Sequence, residues 1–575
     1  MIHFFNLSRQ LIVYGLLLLS TQTFGQSGRT PARARSGMVV SSHYIASEVG
    51  RDILQAGGNA VDAAIATGFA LAVVYPAAGN IGGGGFMVYH GSDGEVTTFN
   101  YREKAPLASS KTMYLDNSGA VKDNANHDGI LSVGVPGSVA GLWLAHQRLG
   151  SLPWPQLVEP AVKLADHGFP FSWAMEGISL TLRDLAASDE LYRASANAFL
   201  KGGKKVYTEG ETLRQPDLAR TLERIRDHGQ DGFYKGETAR FIADFMREHG
   251  GLITEADLAA YTAEELEPIH GKYRGYDVYS MAPPSSGGTA LVEMLNILEG
   301  FDIQAMGLNS AMYMHVLTEA MRRAFADRAE HLGDPDFNPD MPIDRLTSKK
   351  HADELRNTIS LNRASVSDSS RFARAFAYSE SEETTHYSVI DAEGNAVSVT
   401  TTLEFGYGSK IVVDGAGFLL NNEMGDFNAR PGYTDSRGSI GTGPNQIAPE
   451  KRMLSSMTPT ILARDGKPVL LIGTPGGKTI INTVLQVILN VVDHDLNIAQ
   501  AIEAPRFHHQ WLPDRTLVQR NGFSLDSIRL YKMMGHELYF RVSWGQAMGI
   551  AVDPDTGLYL GGADSRGFDA RAAGY

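Results

Sequence analysis

Regular spacing of apolar positions begins near residue 45, where Ile45, Val49 and Ile53 fall on one helical face and Gly57 is placed to end the helix. Asn59 follows as an N-cap with Asp62 three residues on. The alanine-rich run from Val61 to Val74 is apolar on every side, which predicts a helix buried all round and stopped by Pro76. A glycine-rich stretch at 79–85 leads into a strand-like segment from Phe86 to His90. From Pro153 to Leu332 the pattern reads as a mostly helical scaffold, with Thr254 and Asp257 spaced as a capping box and Ser310 opening a helix that Gly333 can close. Six of the nineteen residues from Ser365 to Glu383 are serine, without periodicity, and predict an exposed loop.

Residues 384–404 differ in kind: two β-rich runs flank a Glu-Gly-Asn turn, the pattern of a hairpin. With the turn at 391–395, Ile390 pairs with Ala396, and the antiparallel register places Thr384 opposite Thr402. The Gly-rich strands and helices beyond it read as the second half of one layered α/β body.

At the start of the chain, His3 and Arg9 precede the apolar run Leu11 to Leu19, and Thr23-Phe24-Gly25 has the small-x-small form of a cleavage site. Residues 1–25 are therefore expected to be an export signal, with a periplasmic or extracellular destination. The run is well short of the roughly 20 apolar residues needed to cross a bilayer, so a mature membrane-spanning protein is not expected.

The 575 residues are 43% hydrophobic and 20% charged, which excludes a disordered or collagen-like chain. Lys and Arg number 51 against 65 Asp and Glu, a formal charge of −14, which argues against a nucleic-acid binder. With no cysteine, disulfides, thiolate zinc sites, iron–sulfur clusters and cysteine nucleophiles are all excluded.

A threonine hydroxyl is a poor nucleophile inside a chain, but an N-terminal threonine carries an α-amine with an ordinary pKa of about 7.7–8.0 that can act as its base. A Ser-rich loop delivering Thr384-Thr385-His386 to a strand has the layout of a precursor that cuts itself there. On the hairpin alone, an ordinary loop–strand junction is the simpler reading. Gly473-Thr474-Pro475-Gly476-Gly477 follows an apolar strand, so the N–H groups of Gly476 and Gly477 could face one oxygen, as an oxyanion hole requires. A P-loop is discounted because Gly473 and Gly477 are one residue too close, and Gly82–Gly85 lacks dinucleotide-fingerprint spacing. No metal site is expected. The calcium-like start Asp334, Asp336, Asn338 meets Pro339 where glycine is needed, and His508-His509 read as structural or surface residues.

Taken in order, GGNAVDAA at 57–64, GNIGGGGFM at 79–87, YREKAP at 101–106, GVPGSVAG at 134–141, PPSSGG at 283–288, TTHYSV at 384–389, NNEMGDF at 421–427, LSSMTPT at 454–460, GTPGGK at 473–478 and APRFHHQWLPD at 504–514 resemble the γ-glutamyltransferase (γ-glutamyltranspeptidase, glutathione hydrolase) family of N-terminal-nucleophile hydrolases. The resemblance implies a four-layer αββα sandwich and self-cleavage between Glu383 and Thr384. The products are a large chain, 26–383, and a small chain, 384–575, held as a heterodimer. It further implies that Thr384 attacks a γ-glutamyl donor such as glutathione, with its own amine as base, Thr402 orienting it and Gly476 and Gly477 as oxyanion hole. Arg102, Ser455 and Ser456 match contacts to the donor's α-carboxylate, and Glu423 and Asp426 match contacts to its α-ammonium. Water, an amino acid or a dipeptide accepts the acyl group, and no cofactor takes part. Glu404 stands where many members place an asparagine that holds the glutamyl head, Gly425 replaces a commonly acidic residue, and 428–450 is long enough for a lid with Arg437 near a gating aromatic. The rival readings are a relative with another acyl donor, a β-lactam side chain or poly-γ-glutamate, and an unprocessed binding protein.

Overall fold

Two seven-stranded sheets form the centre of the computed structural model, which describes residues 29–367, 384–436 and 440–575. The first sheet runs in the order Arg571–Gly574, Met38–Ser41, Thr385–Ile390, Ala396–Thr402, Gly84–His90, Val96–Tyr101, Glu264–Leu266. The second runs Ala32–Ala34, Tyr559–Ala563, Met548–Val552, Lys467–Gly473, Thr460–Arg464, Tyr276–Ser280, Ile269–Tyr273.

Alternation along the strands sorts their side chains between two faces. Met38, Val40, Val88 and Ile390 of the first sheet meet Ile461, Leu471, Met548 and Ile550 of the second in a core between the sheets. Their neighbours Val39, Met87, Val389, Val397 and Val399 face outward onto helix Ala60–Val74. On the far side Leu462, Leu470 and Ile472 pack against helices Gly287–Leu298, Ala311–His331 and Thr479–Val492. The result is helix, sheet, sheet, helix: the expected αββα sandwich, within one compact unit spanning Pro31–Tyr575.

Local signals hold where they are strongest. Asn59 and Asp62 form a capping box, and every residue of the helix behind them is buried. Thr254 and Asp257 cap Glu255–Ala260, and Ser310 caps Ala311–His331. The hairpin has the expected register, with Ile390 opposite Ala396 and Thr385 opposite Thr401. The middle of the chain is less purely helical than its pattern suggests. Ile269–Tyr273 and Tyr276–Ser280 are a two-stranded edge of the second sheet, joined by a turn through Arg274 and Gly275. Polar residues alternate there because these antiparallel strands bury one face more than the other.

Among the described residues no helix is long and apolar enough to cross a membrane. The export segment 1–25, Glu383 and Arg437 lie outside the described residues, as does most of the Ser-rich loop.

Candidate active site

Thr384 stands immediately before the strand Thr385–Ile390, and Thr402 closes the strand Ala396–Thr402 that returns beside it. Their hydroxyl oxygens are 3.4 Å apart and both residues are buried. The Thr402 hydroxyl also accepts the Glu404 N–H at 2.8 Å. Asn80 fixes this strand end. Its amide donates to the Thr402 carbonyl at 2.9 Å and to Thr401 Oγ1 at 3.2 Å, while its Oδ1 accepts from Gly83 N and Ser138 Oγ. The adjoining glycine run serves close packing: a Cβ on Gly83 would lie 2.2 Å from the Thr402 carbonyl oxygen, and one on Gly85 would lie 2.6 Å from that of Thr400.

A cavity of about 350 Å³ opens beside the two threonines. Arg102, Glu404, Glu423, Asp426, Ser455, Ser456 and Gly477 all line it, so tertiary structure gathers nine of the ten sequence-predicted site residues, the threonines included, around one space. Gly476 stands one residue back from the lining. Both glycines have positive φ, +135° and +54°, at the turn that starts helix Thr479–Val492, and the Gly476 carbonyl accepts from Thr479 N and Oγ1.

Arg102 is fully buried at the cavity floor. Its Nη1 lies 2.6 Å from Glu423 Oε2 and 3.4 Å from Glu103 Oε2, its Nη2 bonds Asp426 Oδ2, and its Nε donates to the Met453 carbonyl at 3.3 Å. Burial works against the Arg102 charge, yet Glu423, Asp426 and Glu103 together hold its pKa above the ordinary arginine value. The acids respond in the opposite sense. Burial pushes Glu103 up to about 7 against the pull of Arg102, and drives Glu423 well above the usual carboxylate range. One guanidinium thus faces more acid than it can neutralise. Asp426, with 22% of its side chain exposed, is the member that solvent or a ligand can reach.

The segment Leu454–Met457 forms the opposite wall. Ser455 is gripped through its backbone by Pro284 and Ser286, whose N–H and hydroxyl both donate to its carbonyl, at 2.8 and 2.6 Å. Arg328, on helix Ala311–His331, donates to Ser286 Oγ at 2.7 Å and to Ser456 Oγ at 2.9 Å. Sequence reasoning missed this arginine because it sits on a helix read as scaffold, where periodicity gives no sign of which polar residue faces a cavity.

His127 was missed as well, and it explains two departures at once. Its Nδ1 is 3.1 Å from Glu404 Oε1, its ring stacks on Phe405 at 5.1 Å, and a Cβ on Gly425 would fall 2.1 Å from that same nitrogen. Glu404, Gly425 and His127 therefore form one packed unit, in which glycine makes room for the ring that meets the extra acid. Burial lowers His127 to about 4, so at neutral pH the ring is an uncharged donor to the carboxylate. Glu404 itself has φ +77°, a conformation that turns its side chain out of the strand direction.

His386 lies near the nucleophile in sequence but plays no exposed part. It is buried, its nitrogens 2.9 Å from Thr400 Oγ1 and 3.1 Å from Ser388 Oγ, and burial takes it to about 3. His508 and His509 are structural: the first is bound by Asn482 and Gln510, the second by Asp514. The Asp334 carboxylate accepts the backbone N–H groups of Arg452 and Asp336. The flanks of the 428–450 loop reach the cavity through Tyr433, Ile440 and Thr442, the last donating to the Ala329 carbonyl at 2.6 Å.

Comparison with known proteins places the chain in a family. The family model described as Gamma-glutamyltranspeptidase matches residues 46–574. A glutathione hydrolase proenzyme of Escherichia coli is 46% identical over 545 residues, covering 95% of this chain and 93% of the relative. Among solved structures, cephalosporin acylase from Bacillus halodurans superposes with a TM-score of 0.83 at 28% identity, covering 97% of this chain and 99% of that one. Helicobacter pylori gamma-glutamyltranspeptidase is 45% identical with a TM-score of 0.54, over 56% of this chain and 92% of that one. The match spans nearly all of the chain and carries the fold with it: this protein belongs to the gamma-glutamyltranspeptidase family.

Proposed function

We propose that this enzyme cuts itself before Thr384 and then transfers γ-glutamyl groups from glutathione and related donors to water, amino acids or dipeptides through a γ-glutamyl-Thr384 ester. The observation that carries the reading is the Thr384 hydroxyl, 3.4 Å from that of Thr402, at the edge of a cavity floored by a buried arginine and three acids.

In the processed enzyme the Thr384 α-amine takes the hydroxyl proton as the oxygen attacks the γ-carbonyl, and returns it to the departing amine. Thr402 holds the nucleophile's position. Negative charge on the carbonyl oxygen falls to the N–H groups of Gly476 and Gly477 at the start of helix Thr479–Val492, where the helix dipole favours it. The glutamyl head is a zwitterion and the floor is an arginine–acid pair. The donor's α-carboxylate takes a place beside Arg102, Ser455 and Ser456, with Arg328 behind the serines, and its ammonium takes Asp426 and Glu423, so one ion pair opens into two. The same wall argues against a β-lactam side chain as donor despite the acylase likeness, because a side chain without an α-carboxylate leaves these donors unmatched. Residues 1–25 are read as an export signal, giving a periplasmic or extracellular enzyme of two chains, 26–383 and 384–575.

The test is N-terminal sequencing and intact mass of the purified wild type, with a γ-glutamyl anilide assay on the same sample. A fragment beginning at Thr384 together with glutamate release is expected; cleavage without that release transfers the site to another acyl donor.

Glu404 adds a prediction specific to this chain. Glu404→Asn keeps an acceptor for His127 but removes an anion beside the ammonium site and the Thr384 amine. A charged hydrogen bond of about 1.5 kcal/mol gives a rise in KM of roughly 10-fold for γ-glutamyl donors. An anion stabilises the protonated amine, so removing it lowers the amine's pKa and moves the acid limb of the kcat/KM profile to lower pH. Unchanged KM and an unmoved limb would mean that Glu404 takes no part in the donor site.

A further inference from the structure

Among the described residues, two clusters of His and carboxylate side chains outside the active site have ligand atoms close enough to share an ion. In the first, His315, Glu319 and His536, the ligands are already engaged. Glu319 accepts from Arg323 at 2.8 Å and the Ser365 N–H at 3.0 Å, Arg322 lies beside it, and the two histidines bond each other at 2.7 Å. Two guanidiniums there repel a cation.

The second is differently built. Glu293 comes from helix Gly287–Leu298, Asp327 from helix Ala311–His331 and His351 from helix Lys349–Arg356, three segments that meet on the outer side of the second sheet. His351 Nε2 is 2.8 Å from Asp327 Oδ2 and 3.9 Å from Glu293 Oε1. Glu293 is 1% exposed, and the Oε1 aimed at His351 has no hydrogen-bond partner. One turn along its helix the buried Asn296 Oδ1 also lacks a partner, while Asn296 Nδ2 is held by the Thr347 carbonyl. Two carboxyls and an imidazole thus converge, and among the described residues no Lys or Arg forms an ion pair with Glu293 or Asp327. Arg345 acts on Glu293 through its charge without an ion pair, and its Nη2 meets His331 Nε2 at 3.1 Å. A buried carboxylate of this kind is costly unless something neutralises it.

We propose that Glu293, Asp327 and His351 bind a first-row divalent cation that ties the three helices together. Ligand distances of about 2.0–2.2 Å to such an ion put donor atoms roughly 3.0–3.5 Å apart, close to the 2.8 and 3.9 Å that separate His351 Nε2 from Asp327 and Glu293. Mixed nitrogen and oxygen donors suit zinc or manganese better than calcium, and Asp327, 19% exposed, provides the way in.

The test uses untagged full-length enzyme, stripped with EDTA and titrated with ZnCl₂ by calorimetry, with metal content measured after dialysis. One zinc per chain is expected, raising Tm by about 2 °C at a hundredfold excess over Kd. Glu293→Gln, nearly isosteric, is expected to weaken binding about 100-fold or more while leaving γ-glutamyl anilide turnover unchanged. Wild type that takes up no zinc overturns the proposal. So does zinc uptake that survives in Glu293→Gln and disappears in His536→Gln, which assigns the ion to the other cluster.

Discussion

Thr384→Ala is expected to give a single uncut chain with γ-glutamyl anilide turnover lowered by about 10⁴-fold or more, the scale on which removal of a nucleophile acts. The substitution removes a methyl and a hydroxyl from a buried position at the end of a strand whose pairing is otherwise backbone-borne, so folding survives and the loss reports chemistry. Both losses share one cause. On the proposed mechanism, the nitrogen of Thr384 in the uncut chain is an amide and the hydroxyl's first task is attack on its own preceding carbonyl; only the cut frees the amine that serves as base in turnover. Thr384→Ser keeps the hydroxyl and is expected to be cut, more slowly, with part of the activity. Intact mass and N-terminal sequencing read the first effect and anilide release the second. Cleavage in Thr384→Ala at the wild-type position would remove the threonine from the processing chemistry.

Removing the Arg102 guanidinium is expected to have the second largest effect, and to act on two quantities at once. Arg102→Gln leaves Glu103, Glu423 and Asp426 facing one another without a cation, a loss of about 3–5 kcal/mol by analogy with broken buried pairs. The cost depends on pH in a stated direction. A carboxyl whose folded-state pKa is raised binds more protons folded than unfolded, so its contribution to stability falls as pH rises from the unfolded value near 4.5 to the folded value, about 7 for Glu103. Urea midpoints of the variant should therefore drop further behind wild type at pH 8 than at pH 5.5. The kinetic effect is separable. If Arg102 pairs with the donor's α-carboxylate, kcat/KM falls by about 10³-fold, and the preference for donors that carry this carboxylate over anilides that lack it disappears. A guanidinium that only held the floor together would lower activity without altering that preference. Arg102→Lys restores the charge but not the fork of donors, and should recover stability more fully than selectivity.

Much of this protein is legible in the chain itself. The capping boxes at Asn59 and Thr254 rest on contacts three residues apart, and the helix Ala60–Val74 on an unbroken apolar run. The register that brings Thr384 to Thr402 follows from a short turn and a period of two. The ordered motifs located the cavity's main walls. What sequence could not decide was convergence. Arg328 reaches Ser456 across 128 positions, His127 reaches Glu404 across 277, and Glu293, Asp327 and His351 stand on three different helices. The strands Ile269–Tyr273 and Tyr276–Ser280 were likewise assigned by the sheet they complete. Local structure depends on near neighbours, which the order of residues states directly. The burial of Arg102 among three acids, the raised pKa of Glu103 and the space beside Gly425 depend on desolvation and close approach, and these exist only once distant segments have packed.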